Sequence, residues 1–321
     1  MKRAIGVVLS GVLIALGIGS WAVPQTGAAH SPVPGTSVSA RSAVLQQANT
    51  RQLPATVWFR DSEDRGLLAD VWINGHGPYR FAIDTGAGIT VVSQALATAA
   101  GLKPVKGRTR VLAGLSGTEV IAGESSVNKI ALGNPNNVLP AKIRTVIVQT
   151  TPSGLDGILD PGDAYAPLGY TIDLPQRQIR AFDPRVEGLS VRRQPADGTV
   201  VPWLRDGNTN RPFVRLSDGR LALIDTGSTF GLAATSPRAV AQHERRSSRD
   251  IGGGAIRSIR VQPTTVSIGS LELRDVPTDV LDGVEKGAPT ILGRDALYPF
   301  RISFDPAQRL IEFVPSVQDK N

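Results

Sequence analysis

Apolar positions after about residue 55 come in short runs, separated by turns rich in glycine, proline, asparagine and aspartate. Residues 127–133 and 143–148 alternate apolar and polar side chains, which is the period of a half-buried β-strand. Residues 94–100 predict one short helix, ended by Gly101. Together with 34 glycines and 23 prolines, this pattern predicts an all-β protein with many turns.

Two of the apolar runs end abruptly in the tripeptide Asp-Thr-Gly, at Asp84 and at Asp225. The segments after the two aspartates follow the same order of strands and turns, and residues 171–182 and 302–313 both read as strand, turn, strand. Matching order and similar spacing predict an internal duplication.

The duplication divides the chain into segments. We predict an N-terminal lobe over residues 54–187, a linker over 188–198 and a C-terminal lobe over 199–316. If a pseudo-twofold axis relates the lobes, the two Asp-Thr-Gly loops meet at that axis.

Two carboxyl groups that meet in this way cannot both ionise easily, so they share a proton. One carboxyl is then a base that can activate a water, while the other is an acid that can protonate a carbonyl oxygen. The glycines allow close approach of the backbone, and the threonine hydroxyls can satisfy backbone groups that a buried loop leaves unpaired.

The two loops resemble the active-site loops of aspartic proteases, and residues 291–295 (Ile-Leu-Gly-Arg-Asp) are similar to the hydrophobic-hydrophobic-glycine element of the retropepsin-like branch. The resemblance implies a bilobal all-β fold, a double acid-protease barrel with a cleft between two pseudo-twofold related lobes. Because one chain carries both loops, as in pepsin-like enzymes, it also implies a monomer.

The resemblance further implies an aspartic endopeptidase in which Asp84 and Asp225 hydrolyse a peptide bond with an activated water, without metal or organic cofactor. The substrate would be an extended peptide or protein. The implied loop residues are Thr85, Gly86, Ala87, Thr226, Gly227 and Ser228. The implied flap and substrate-binding residues, at two hairpin tips, are Gly114, Leu115, Ser116, Gly117, Gly252, Gly253 and Gly254.

Two positions depart from the pattern of the family. Asp160 stands in the first repeat where the second has Gly293, which puts the packing under the first loop in question. Ser228 follows the second loop, whereas Ala87 follows the first. A hydroxyl at 228 can donate to the neighbouring carboxylate, so we expect Asp225 to be the more acidic partner and Asp84 the more often protonated one.

Composition excludes several other chemistries. The chain has no cysteine, which excludes disulfides, zinc-thiolate sites and cysteine nucleophiles. It has three histidines, which disfavours a serine-histidine triad or a histidine metal site. The net charge is +7, but the basic residues are scattered along the sequence, so we expect no nucleic-acid partner.

The N-terminus has the pattern of a targeting segment. Met1-Lys2-Arg3 is basic, residues 4–23 carry no charge, and small residues follow at 27–29. We predict that residues 1–29 are a signal peptide or a membrane anchor and that residues 30–53 are a flexible tether. The body of the protein is then periplasmic or secreted, either free or tethered to the membrane through residues 4–23.

Three other functions stay open at this stage. A catalytically silent aspartic-protease fold would act as a peptide-binding module of the cell envelope. A two-carboxylate glycosidase would need carboxyl groups about 5–10 Å apart around a sugar. A structural envelope protein would explain the β-rich composition and the export signal, but not the paired aspartates.

Overall fold

The computed structural model describes residues 52–152, 154–205, 209–235, 245–285 and 287–316, which are mostly β-strand, as predicted. The predicted signal peptide or anchor, and the predicted tether up to residue 51, lie outside the described residues.

None of the described helices is both long enough and apolar enough to span a membrane.

The described strands and helices have the following bounds. The strands are β1 (Val57–Trp58), β2 (Arg60–Ser62), β3 (Gly66–Ile73), β4 (His76–Ile83), β5 (Thr90–Ser93), β6 (Thr109–Ala113), β7 (Glu119–Val127), β8 (Ile130–Leu132), β9 (Ile143–Val148), β10 (Gly157–Leu159), β11 (Gly169–Asp173), β12 (Gln178–Phe182), β13 (Thr199–Pro202), β14 (Phe213–Arg215), β15 (Leu221–Asp225), β16 (Leu232–Thr235), β17 (Arg245–Arg249), β18 (Ala255–Ile268), β19 (Leu271–Asp282), β20 (Thr290–Gly293), β21 (Phe300–Asp305) and β22 (Leu310–Pro315). The helices are α1 (Gln94–Ala99), α2 (Pro161–Tyr165), α3 (Pro184–Glu187) and α4 (Arg294–Leu297).

Two of the sheets repeat one topology. Within the described residues, a nine-stranded sheet has the order β2-β3-β4-β10-β5-β9-β7-β6, with β8 beside β3, and a seven-stranded sheet has the order β14-β15-β20-β16-β19-β18-β17. In the first, β4 is parallel to β10, β10 is antiparallel to β5, and β5 is parallel to β9. In the second, β15, β20, β16 and β19 have the same relations. The predicted duplication is therefore present in the strand topology.

A third, six-stranded sheet joins the two repeats, with the order β1-β12-β11-β21-β22-β13. Its two halves mirror each other in order, and its central pair, β11 and β21, is antiparallel. Thr171 lies opposite Ser303, and the Thr171 hydroxyl donates to Ser303 Oγ at 3.1 Å. The pseudo-twofold axis of the duplication passes between these two residues. The hairpins predicted at 171–182 and 302–313 are confirmed as β11–β12 and β21–β22.

The expected double barrel is not found in the described residues. Each sheet is an open path with two edge strands, such as β2 and β6 in the nine-stranded sheet and β1 and β13 in the six-stranded one. The sheets instead bury their apolar faces against one another, so no sheet has to close on itself.

The main core lies between the three sheets and contains apolar residues from both repeats. The six-stranded sheet contributes the rings of Tyr170 and Phe304, which stack with centroids 4.7 Å apart. Full burial of one such side chain stabilises the folded state by about 1.5–3 kcal/mol. This packing holds the interior strands β4 and β15, which carry the two Asp-Thr-Gly loops, at fixed positions.

Candidate active site

Each Asp-Thr-Gly loop begins where an interior strand ends. Ile83 and Ile224, the last apolar residues of β4 and β15, are completely buried. Asp84 N donates to Leu159 O at 3.0 Å, and Asp225 is in register with Gly293. Neighbouring strands thus pin both aspartates at the point where the chain turns.

Each aspartate closes its turn with its own carboxylate. Gly86 N donates to Asp84 Oδ1 at 2.8 Å, and Gly227 N donates to Asp225 Oδ1 at 2.9 Å. A short carboxylate side chain that accepts an amide two residues ahead is a common way to build such a turn. Both turns therefore contain the same aspartate-to-glycine hydrogen bond, as expected for a duplicated element.

The threonines lock the two loops together. Thr85 N donates to Thr226 Oγ1 and Thr226 N donates to Thr85 Oγ1, both at 3.1 Å. The Thr85 hydroxyl donates to Ile224 O at 2.6 Å, and the Thr226 hydroxyl donates to Ile83 O at 3.2 Å. Four reciprocal hydrogen bonds therefore join loops that are 141 residues apart, and each hydroxyl satisfies buried backbone groups of the other repeat.

The two carboxyl groups meet at this junction. Asp84 is 2% exposed and Asp225 is completely buried. A methyl group on Gly86 would come within 2.7 Å of Asp225 Cγ, so only glycine lets the first loop pass the second carboxylate. Burial, the charge of Asp225 and a side-chain hydrogen bond with Asp225 raise the pKa of Asp84 well above its ordinary value. The arrangement is that of two carboxyls sharing one proton.

Ser228, which stands where the first loop has Ala87, contacts Asp225 through its backbone amide and not through its hydroxyl as expected. The Ser228 backbone N donates to Asp225 Oδ1 at 3.1 Å, while the Ser228 hydroxyl accepts from Phe230 N at 3.3 Å. Asp225 Oδ1 thus accepts two amides, from Gly227 and Ser228, whereas Asp84 Oδ1 accepts that of Gly86. Amide donors favour the ionised form of a carboxyl group, so these two amides favour an ionised Asp225. That Asp225 is the more acidic partner stays a prediction.

The two predicted flap segments are hairpin tips that contact each other. Residues 114–118 join β6 to β7, and residues 250–254 join β17 to β18. Ser116 N donates to Asp250 Oδ2 at 2.8 Å. A Cβ atom on Gly114 would overlap the Asp250 carboxylate, and one on Gly254 would overlap the Ser116 and Thr118 hydroxyls. Glycine is required at these positions because the tips cross in close contact.

Each tip also places an apolar side chain against the opposite repeat. Leu115 is 1% exposed and packs in a cluster with residues of the second repeat. These residues are Phe230, Ala233, Ile256, Leu281 and Ile291. Ile251 packs against a first-repeat cluster that includes Ala87, the residue after the first loop. The tips therefore seat on residues next to both loops.

Asp160 occupies the place of Gly293 in the first repeat. Leu159 is in register with Ile83, as Leu292 is with Ile224. The question about packing under the first loop is answered by the helix that follows: Asp160 Oδ1 accepts Gly162 N at 2.8 Å and caps α2. An aspartate followed by proline is a normal helix start, so the substitution fits its site.

Several residues around the site were not predicted. Arg294 is buried; it pairs with Asp61, and its Nη2 donates to Ser62 O and Glu63 O at 3.1 Å each, which ties α4 to the first repeat. Asp250, which holds the tip of the other hairpin, has no local sequence signal because its partner is 134 residues away. In the part of the chain that is described, no cluster of three or more histidine, aspartate or glutamate residues is placed to hold a metal ion.

Comparison with known proteins agrees with the geometry. Residues 69–159 match the family model of the aspartyl proteases. A search of curated proteins found no match. The matched segment contains the first Asp-Thr-Gly loop and the first hairpin tip, and the second repeat has the same topology around its own loop. The similarity to the aspartyl proteases therefore covers residues 69–159, around the first of the two loops.

Proposed function

We propose that the protein is an aspartic endopeptidase of the kind that carries both Asp-Thr-Gly loops in one chain. The observation that carries this proposal is the buried Asp84–Asp225 pair, interlocked by the reciprocal threonine hydrogen bonds. Because one chain supplies both carboxyls, the active unit is a monomer.

The two carboxyls have complementary roles in the proposed reaction. Asp225, which accepts two backbone amides, is the ionised partner and takes a proton from a water as its oxygen attacks the peptide carbonyl carbon. Asp84, whose pKa is raised by burial and by Asp225, donates its proton to the carbonyl oxygen. The tetrahedral intermediate has two hydroxyl groups and no bond to the enzyme. Transfer of the proton from Asp225 to the amide nitrogen, with return of a hydroxyl proton to Asp84, breaks the C–N bond and restores the pair.

The substrate in this proposal is an extended peptide bound beneath the hairpin tips. In the closed structure both carboxyl groups are nearly inaccessible, and Leu115 and Ile251 are seated in apolar clusters. The tips therefore have to lift before a peptide reaches the carboxyl pair. The apolar lining that they uncover favours substrates with apolar side chains next to the scissile bond.

We also propose that the protein acts outside the cytoplasmic membrane, released or anchored there. The basis is the basic start followed by the uncharged residues 4–23. Cell fractionation with an antibody against the C-terminal repeat tests this. Recovery in the cytoplasm at full length would contradict it.

The test of the peptidase is cleavage of an unfolded protein mixture by the purified full-length chain, from acid to neutral pH. We expect cleavage that a pepstatin-like inhibitor blocks and that Asp84→Asn or Asp225→Asn abolishes. Asp218→Asn, in the exposed turn before β15, is the matched control and retains activity. Near-normal activity of either dyad variant in folded form would refute the mechanism. Binding of peptides without turnover would favour the silent peptide-binding module instead.

A further inference from the structure

A third carboxyl group lies beside the pair. Asp160 directly follows β10, and Asp84 directly follows β4. The last residues of these two parallel strands, Leu159 and Ile83, are in register. Asp84 N then donates to Leu159 O at 3.0 Å. In the second repeat the same register sets Asp225 opposite Gly293. Neighbouring strands are about 5 Å apart, so Asp160 stands next to Asp84 at the end of the sheet.

The two repeats differ in whether this position has room for a side chain. In the second repeat, Gly293 N donates to Gly231 O at 2.9 Å, and a Cβ atom on Gly293 would overlap Phe230 O. In the first repeat, Asp160 N donates instead to the hydroxyl of the buried Thr90 at 3.2 Å. The Thr90 hydroxyl thus accepts this amide in place of a backbone carbonyl such as Gly231 O. A carboxyl group stands at this position in the first repeat and not in the second.

The surroundings of Asp160 are acidic and closed. Asp160 is 4% exposed. The ionisable groups that interact electrostatically with it are Asp84, just after β4, Asp163 in α2 and Tyr170 in β11. Burial and Asp163 raise the pKa of Asp160 well above its ordinary value, against the opposing effect of the backbone amides at 162 and 163. The charge of Asp160 in turn raises the pKa of Asp84.

The remaining charges act on Asp163 rather than on Asp160. Arg144 from β9 and Arg110 from β6 lower the pKa of Asp163, although burial still raises it overall. One carboxylate oxygen of Asp160, Oδ1, accepts a hydrogen bond from Gly162 N and so caps α2. A negative charge on Asp160 therefore acts on Asp84, the first carboxyl of the pair, and on Tyr170.

We propose that Asp160 is a positioning residue of the active site, whose negative charge holds the shared proton on the Asp84–Asp225 pair. With Asp160 ionised, loss of that proton would leave three negative charges in one buried region, so the pair keeps it to higher pH than two carboxyls alone would. The effect on turnover rests on the proposed peptidase function, whereas the effect on the proton does not.

The decisive variant is Asp160→Asn, which retains an oxygen to cap α2 but removes the charge. We expect the alkaline limb of the pH profile of kcat/KM to move about one pH unit toward acid. The acidic limb should move less, because the raised pKa of Asp160 favours its uncharged form at low pH. Asp183→Asn is the matched control: Asp183 caps α3 through Arg185 N and also precedes a proline. It should leave both limbs unchanged.

A second measurement needs no catalytic activity. Carboxyl ¹³C resonances of aspartate-labelled full-length protein are titrated by NMR, with Asp84→Asn used to assign the pair. We expect the pH at which the shared proton is lost to fall in Asp160→Asn and not in Asp183→Asn. If Asp160→Asn does not fold, Asp160→Ser, which also caps a helix, takes its place.

The outcomes separate this proposal from the peptidase proposal. An unchanged midpoint in a folded variant, with normal cleavage, overturns the role of Asp160 and leaves the peptidase intact. A shifted midpoint in a protein that cleaves nothing supports the role of Asp160 and refutes the peptidase. A loss of activity that is equal at every pH, with no shifted midpoint, would show that Asp160 only caps its helix.

Discussion

The reciprocal threonine bonds make a quantitative prediction about Thr85→Val. Valine has nearly the same shape as threonine but cannot hydrogen-bond. The change removes the bond to Ile224 O, 2.6 Å long, and the bond from Thr226 N, 3.1 Å long. Both partners are completely buried, so water cannot replace the lost hydroxyl.

The size of the effect follows from these two orphaned groups. Leaving a buried donor or acceptor unpaired costs about 1–3 kcal/mol. Two such groups lower the free energy of unfolding by about 2–6 kcal/mol, which is a large part of the roughly 5–15 kcal/mol typical of a whole protein. Urea denaturation followed by circular dichroism and by tryptophan fluorescence measures this difference.

Two other threonines provide graded controls. The Thr145 hydroxyl is buried and makes one bond, to Thr90 O at 2.9 Å, so Thr145→Val should cost about 1–3 kcal/mol. Thr98 is exposed on α1, and Thr98→Val should stay within about 0.5 kcal/mol of wild type. If Thr85→Val costs no more than Thr98→Val, the threonines do not hold the loops together and the reasoning is refuted.

Three further predictions concern the carboxyl pair and the hairpin tips. Gly86→Ala would bring a methyl group within 2.7 Å of Asp225 Cγ. Because this contact displaces the carboxyl group, we expect kcat for peptide cleavage to fall at least about 100-fold. Unchanged cleavage would contradict the geometry. Because burial and Asp225 raise the pKa of Asp84, the stability this group contributes is full below its unfolded pKa and is lost as pH rises through its folded pKa. Asp84→Asn should therefore melt at a higher temperature than wild type at neutral pH, an advantage that disappears in acid, and parallel melting curves across pH would rule this out. Asp250→Ala removes the acceptor of Ser116 N, so hydrogen exchange of that amide should accelerate about 10-fold or more. Amides of the six-stranded sheet serve as the internal reference. An unchanged exchange rate of the Ser116 amide would show that other contacts hold the tips.

The sequence predicted the parts of the fold that have a local or a repeated signal. Apolar runs that end in Asp-Thr-Gly predicted both loops, and two similar strand-turn-strand segments predicted the hairpins at the pseudo-twofold axis. Helix α1 was predicted at 94–100, ended by Gly101, and it spans Gln94–Ala99. The structure adds Ser93, whose hydroxyl caps the start of the helix by accepting from Leu96 N at 3.1 Å. Repetition was the strongest signal, because two Asp-Thr-Gly turns in similar segments predict that the two aspartates meet, whereas a single such turn does not.

What could not be predicted depends on which segments meet in space. Nothing near Asp250 in the sequence indicates that it accepts the amide of Ser116. The hydroxyl of Ser228 was a reasonable donor to Asp225, but the backbone places its amide there instead. The closed barrel was inferred from the family resemblance, and whether a sheet closes or stays open is set by strand partners far apart along the chain.

The central strand pair of the six-stranded sheet also constrains how the chain folds. Thr171 and Ser303 are 132 residues apart, and closing a loop of that length costs conformational entropy before any contact repays it. A nascent chain that ends before residue 300 has β11 without its neighbour β21, and β13 without β22. The frame that holds the two halves in register is thus completed only when β22 (Leu310–Pro315) is in place. Folding is therefore expected to be a late, whole-chain event, and a partly synthesised protein lacks the framework that aligns its two carboxyls.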